Sequence, residues 1–430
     1  MNSGFGLSAA ARAALLARLT RRREDAPAPE APRGFRELPG QREMALIRDA
    51  AASLELENPF FRAHEGIASA HSVIAGRDVI NFGSYNYLGL NGDARVQAAA
   101  KAAIDQYGVS ASASRMVSGE RPLHGALEAA LAAHYQAQAA LVFVSGHATN
   151  VTVIGHMLGP RDLIVHDAAI HNSCTEGARL SGAKRLSFAH NDWRAADAAL
   201  AEARRSARRA LLVIEGHYSM DGDIPDLPRF IEMARRHDAW LMVDEAHALG
   251  VVGARGHGLH EHFGIDPNEV DIWMGTLSKT LSACGGYIAG NASLIEWLRH
   301  SAPGFVYSVG LAPALAAAAL ESLAIVRAEP ERVARLQDNA ALFLGLAREA
   351  GFDTGSATAH AIIPVILGSS IAAARYAQLL FARGINVQPI IYPAVAEKAA
   401  RLRFFLSSEH TEADIRATIT ALIAIRADAT

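Results

Sequence analysis

Short unbroken apolar runs recur along the middle of the chain, at 140–144, 163–165, 210–214 and 240–243. Among them, 123–134, 194–208 and 227–236 place apolar residues every three or four positions, as amphipathic helices do. A strand that is apolar throughout, and not at alternate positions, is covered on both faces. The pattern therefore predicts an α/β fold with a mostly parallel sheet between helices. Ahead of it, a helix is expected over 41–53, and a strand at 79–82 runs into SYNYLGL, 84–90. From about 311 onward come two long helices, a strand at 362–366, a helix, and apolar runs at 385–387 and 403–406. That order predicts a smaller α+β domain at the C-terminus.

The first residues read differently. Residues 8–23 predict one short helix with Leu15, Leu16 and Leu19 on a face, followed by APAPEAP at 26–32. Proline cannot continue a helix, so the latter is expected to be an extended linker. Four parts follow: a helical leader and proline-rich linker, 1–33; an N-terminal segment, 34–93; a large domain, 94–305; and a small C-terminal domain, 306–430.

Composition narrows the possible functions. The net charge of −3 gives no electrostatic case for binding nucleic acid or an anionic membrane. With two cysteines, Cys174 and Cys284, the chain has neither a disulfide framework nor a four-cysteine zinc site, as expected in a reducing compartment. The most apolar stretch, 312–326, is interrupted by Glu321 and Ser322 and reads as a buried helix, so no membrane span is expected. The basic cluster Arg21-Arg22-Arg23 follows the apolar part of the leader, the reverse of a signal peptide. A cytoplasmic protein is the expectation.

Polar groups at the carboxyl ends of parallel strands face the ligand crevice. The run 240–243 ends in Asp244, with His247 three residues on. IWMGTLSKT leads to Lys279 past Thr276 and Ser278, and Gly285-Gly286 follow. The run 210–214 ends in Glu215, then Ser219 and Asp221. Singly, each has an ordinary reading: a solvated lysine, a helix-capping aspartate, a serine in a turn. Together, an aspartate and a lysine converging on one crevice are what a pyridine aldehyde cofactor needs. The carboxylate keeps the ring nitrogen protonated, and the amine forms a Schiff base. GxGxxG is absent, which disfavours a dinucleotide site. His257, His260 and His262 in HGLHEH do not match HExxH, and no metal is expected.

SYNYLGL, the serine-rich approach to Arg115 with SGERPLH, DAAIHNS, EGHYSMDGD, VDEAHALG, GTLSKT with GGYIAG, and RLRFFLSSEHT occur in this order. Together they resemble the α-oxoamine synthase family, which includes 5-aminolevulinate synthase, 8-amino-7-oxononanoate synthase and serine palmitoyltransferase. The resemblance runs from about 41 to 422. It implies a PLP-dependent transferase of fold type I, aspartate-aminotransferase-like, with 94–305 as the domain that binds pyridoxal 5′-phosphate (PLP). It also implies a homodimer with shared active sites. The implied reaction is decarboxylative condensation of an L-amino acid (serine, alanine or glycine) with an acyl thioester, giving an α-amino ketone, CO2 and a free thiol.

Residue roles follow from the same resemblance. Lys279 matches the Schiff-base lysine and α-proton base, and Asp244 the partner of the pyridine nitrogen. His247 and Ser219 match groups near the phenolic oxygen, and His171 the imidazole stacked on the ring. Thr276 and the backbone at Gly146 and His147 match phosphate contacts, and Ser308 a contact to the neighbouring subunit's phosphate. Arg403 matches the arginine that grips the substrate carboxylate, helped by Asn86.

Some positions depart from better-known members. Ala113-Ser114-Arg115 replaces the usual glycine pair before the arginine; the methyl of Ala113 narrows the substrate space, and Ser114 resembles the serine- and alanine-using branches. Residues 391–395, IYPAV, lack the arginine that bacterial serine palmitoyltransferases tend to carry there. SGERPLH and GHATN resemble members that take acyl groups from carrier proteins in polyketide and related lipid pathways. The leader would then be a docking helix for an acyl carrier protein, the alternative being a disordered tail. Two further readings are another fold-type-I reaction, such as transamination or aldol cleavage, and a non-catalytic partner subunit. RLRFFLSSEHT and NYLGL favour condensation over the first, and intact Lys279, Asp244 and His171 weigh against the second.

Overall fold

The computed structural model describes residues 40–429, together with Phe35 and Leu38. The expected leader helix at 8–23 and the linker at 26–32 lie outside the described residues. The chain divides into two compact units, Met1–Asn58 and Pro59–Thr430. The described part of the first contains the helix Gln41–Ser53, at the expected boundaries.

The second unit is built on three sheets. In chain order its strands are β1 (His71–Ile74), β2 (Arg77–Asn81), β3 (Ala139–Phe143), β4 (Leu163–Asp167), β5 (Lys184–Phe188), β6 (Ala210–Glu215) and β7 (Trp240–Asp244). They continue with β8 (Ile272–Thr276), β9 (Gly286–Gly290), β10 (Ile362–Ile366), β11 (Ile385–Asn386), β12 (Gln388–Ile390) and β13 (Arg401–Phe405). The central sheet has seven strands in the order β3-β9-β8-β7-β6-β4-β5. Only β9 runs against its neighbours, pairing antiparallel with β3 and β8. The other pairs are parallel.

Alternate residues of these strands enter different cores, as strand geometry requires. Leu211, Val213, Met242 and Met274 pack on one side of the sheet. Leu212, Ile214, Val243 and Trp273 pack into the larger core, which is continuous with Phe404 and Leu422 of the C-terminal region. Helices cover both faces, so the unbroken apolar runs have their predicted cause.

Two local expectations need correction. The helix expected over 194–208 ends at Ala203 and gives way to a 3₁₀ turn, Arg204–Ser206. RRSARR offers no apolar stripe to continue it; the Arg204 side chain instead donates to the carbonyls of His237 and Asp238. The run at 385–387 is not one strand. β11 pairs in parallel with β2, whereas β12 pairs antiparallel with β13, so the chain changes sheet at Val387. The first of these pairings brings the SYNYLGL segment to the C-terminal region, where the Phe405 N–H donates to Phe82 O. The stretch 312–326 lies in the helix Pro313–Ala328, and among the described residues no helix is long and apolar enough to cross a membrane.

Candidate active site

The carboxyl ends of β3, β6, β7 and β8 open into one cavity of about 360 Å³. It is lined by nine of the predicted residues: Gly146, His147, His171, Ser219, Asp244, His247, Thr276, Lys279 and Arg403. Except for Arg403, which lies on β13 of a separate sheet, each ends or follows a strand of the central sheet at its carboxyl end. β3 ends at Phe143, and Ser145 caps the helix Gly146–Met157, accepting from Ala148 N. β4 leads to His171, the N-cap of the helix Asn172–Ser181. β7 delivers Asp244 as its last residue, and Lys279 follows the end of β8 by three. A Cβ at Gly146 would lie 2.7 Å from Thr276 Oγ1, so glycine is what allows the helix start to approach β8.

Charge in the cavity is concentrated and poorly solvated. Burial lowers the Lys279 amine to about 8, against the pull of Asp244 and Glu215. Burial, and then the Asp244 carboxylate, raise Glu215 to about 8, although the N–H groups of Ser219 and His171 donate to its oxygens. Asp244 accepts from Asn150 Nδ2 at 2.8 Å and from Ala246 N at 3.0 Å. Burial depresses both His247 and His171, the former well below its usual range. Arg403 Nη1 donates to Ser219 O at 2.9 Å, while its buried Nε has no partner among the described residues. Arg401, two residues earlier on β13, pairs with Asp221 at 2.6 Å, so both arginines brace the segment after β6.

The other three predicted residues lie apart. Asn86 lines an adjoining cavity of about 290 Å³ with His64 and Ser84, sharing Tyr85 and Ser278 with the first. Its amide holds its own loop: Nδ2 donates to Ala68 O and Oδ1 accepts from Asn91 N. Ser308 lines a small cavity beside Arg115 and Phe305. Ser114 precedes the π-helical turn Arg115–Gly119 and lines none of these cavities.

The match to the family described as aminotransferase class I and II runs over residues 77–422, most of the chain. The chain belongs to that PLP-dependent family. Among its relatives, 8-amino-7-oxononanoate synthase of Fervidobacterium nodosum is 40% identical over 375 residues, covering 86% of this chain and 94% of the relative. Serine palmitoyltransferase of Bacteroides thetaiotaomicron is 36% identical over 388 residues, covering 88% and 98%. A solved serine palmitoyltransferase from S. paucimobilis with bound PLP–myriocin aldimine superposes with a TM-score of 0.87 at 30% identity, covering 92% of this chain and 99% of that one. Within the aminotransferase class I and II family the chain is an α-oxoamine synthase.

For this α-oxoamine synthase, sequence reasoning passed over several side chains that shape the cavity. Tyr85 and Asn150 line it, and Tyr87 reaches His247 from behind. Lys279 Nζ sits 5.5 Å from the centre of the Tyr85 ring. Asn150 follows Gly146 by four residues, on the same face of its helix, a spacing that could have pointed to it. Ser173 is another omission; it bonds both Asn150 and His171. Nothing in the sequence pairs Tyr87 with His247, which are 160 positions apart.

Proposed function

We propose that this PLP-dependent enzyme condenses an L-amino acid with an acyl thioester, releasing CO2 and the free thiol, and that Lys279 is its cofactor-binding and proton-transferring residue. The observation that carries the reading is the gathering of Lys279, Asp244 and Arg403 in one cavity, with the amine lowered to about 8. A buried amine, a carboxylate braced by an amide, and a helix N-terminus beside two hydroxyls are the complement of an aldehyde, a ring nitrogen and a phosphate.

The residues would hold PLP as follows. Asp244 would keep the proton on the ring nitrogen, and His171 would cover a face of the ring. His247 and Ser219 stand at the phenolic oxygen. The N–H groups at Gly146 and His147 take the phosphate with Thr276 and Ser278, whose hydroxyls lie 2.8 Å apart. Ser308 would reach the phosphate held by a partner subunit in a homodimer. PLP, when bound, supplies the electron sink for the pair left on the α-carbon. Arg403 binds the substrate carboxylate, for which its unpartnered Nε and its fork of donors are suited. Asn86 would support that end of the substrate from the adjoining cavity. Lys279 in its neutral form takes the α-proton and later returns one. Loss of CO2 follows acyl transfer, and one solvent proton is consumed per turnover as the thiolate is protonated.

The test adds L-serine, L-alanine or glycine to the PLP-loaded protein, then an acyl-CoA or an acyl carrier protein, while the visible absorbance, CO2 and thiol are followed. One amino acid shifting the spectrum, with CO2 and thiol released in equal amounts, supports the reading. Keto-acid formation without CO2 would replace it with transamination. Arg403→Ala is expected to weaken the amino-acid response roughly 10- to 100-fold, the worth of a charged hydrogen bond, and to leave PLP affinity nearly unchanged.

A further inference from the structure

Asn150 and Ser173 are each 1% exposed and Asp244 4%. Asn150 Nδ2 donates to Asp244 Oδ2 at 2.8 Å and to Ser173 Oγ at 3.0 Å, which uses both of its hydrogens. Its Oδ1 is buried without a partner among the described residues. The opposite amide orientation would set a carbonyl oxygen against a carboxylate, so the charge on Asp244 fixes which way Asn150 points. Ser173 Oγ accepts from that amide and keeps one hydrogen, and His171 Nδ1 lies 2.7 Å away to take it. The Ser173 backbone N–H donates to the same nitrogen at 3.2 Å. A ring nitrogen that accepts two donors carries no proton, so the neutral ring carries its hydrogen on Nε2.

We propose that Asn150 and Ser173 are positioning residues that transmit the polarity of the Asp244 carboxylate to His171 and hold its imidazole neutral, with the hydrogen on Nε2. The direction of the chain follows from the protein alone; its use, a neutral ring against the cofactor, rests on the function proposed above. A protonated His171 would add positive charge beside Lys279 and Arg403 and would compete with the cofactor for Asp244. The other titratable groups beside His171 are His147, which faces its ring edge-on, and Glu215, which accepts the His171 backbone N–H at 2.7 Å. Burial opposes protonation of His171 in the same direction, as do Lys279, His147 and Arg403, against the direct pull of the Asp244 charge.

The test is a pH titration of the His171 ring by ¹⁵N NMR of the histidine-labelled protein, with PLP and without it, assigned with His171→Gln. The native spectrum is expected to show the hydrogen on Nε2. Ser173→Ala removes a donor to the neutral ring and is expected to move its pKa upward by about half to one unit, since one hydrogen bond is worth about 1 kcal/mol and one unit about 1.4. Ser173→Thr, which restores the hydroxyl, returns the native value. Asn150→Ala, which removes no hydrogen bond to His171, moves it the same way by less. A native ring with its hydrogen on Nδ1, or native titration in both alanine variants, overturns the proposal. Because the titration is read without PLP as well, a variant that loads no cofactor still reports. A native protein that binds no PLP but shows the predicted shifts would defeat the functional reading and leave this one standing.

Discussion

The Tyr87 hydroxyl lies 2.7 Å from His247 Nδ1, and neither residue is more than 7% exposed. Burial holds the phenol well above its usual pKa and the imidazole well below, so both are neutral. The phenol keeps its proton and is the natural donor to Nδ1, which leaves Nε2–H for the cavity.

Tyr87→Phe therefore strands a buried ring nitrogen. Its unfolding free energy is expected to fall by about 1–3 kcal/mol, the cost of an unsatisfied buried polar group, in a urea melt. The absorbance of the PLP-loaded protein should acquire an altered pH dependence, because His247, proposed to stand at the phenolic oxygen, has lost its fixed tautomer. An unchanged melt and an unchanged spectrum would show that the contact contributes nothing.

The Lys279 amine at about 8 predicts a pH profile for cofactor capture. Only a neutral amine attacks an aldehyde, so the capture rate by PLP-free protein should rise with pH and level off above about 8. An unperturbed lysine would carry the rise on toward roughly 10. Stopped-flow absorbance of PLP uptake distinguishes the two, and a rise that persists to pH 10 would contradict the burial argument.

Gly146→Ala is expected to weaken PLP binding roughly tenfold or more while leaving the fold intact. The added methyl would press on Thr276 Oγ1, moving a hydroxyl proposed above to hold the phosphate, and overpacking of this kind costs about 1–3 kcal/mol. Fluorescence titration with PLP measures it. A smaller loss than twofold would mean that Thr276 yields freely.

The large sheet was legible because its signal is local: runs such as 210–214 are apolar at every position, and β6 is buried at all six. That Lys279 and Asp244 meet at one cavity was legible because both stand at strand ends. What stayed hidden depends on long-range pairing. The division of 385–390 between two sheets, with the change at Val387, follows from β2 and β13, partners distant in sequence. Likewise Asn150 acquires its meaning from Asp244, 94 positions later. The Ser308 and Ser114 expectations concern a subunit neighbour and a substrate, and neither residue lines the Lys279 cavity in the single chain.

The most direct measurement is borohydride reduction of the PLP-loaded protein followed by peptide mass analysis. The account predicts the mass of a reduced pyridoxyl phosphate on the peptide containing Lys279, and its absence in Lys279→Ala together with loss of turnover. A label on another lysine, or a Lys279→Ala variant that still colours and turns over normally, would contradict it.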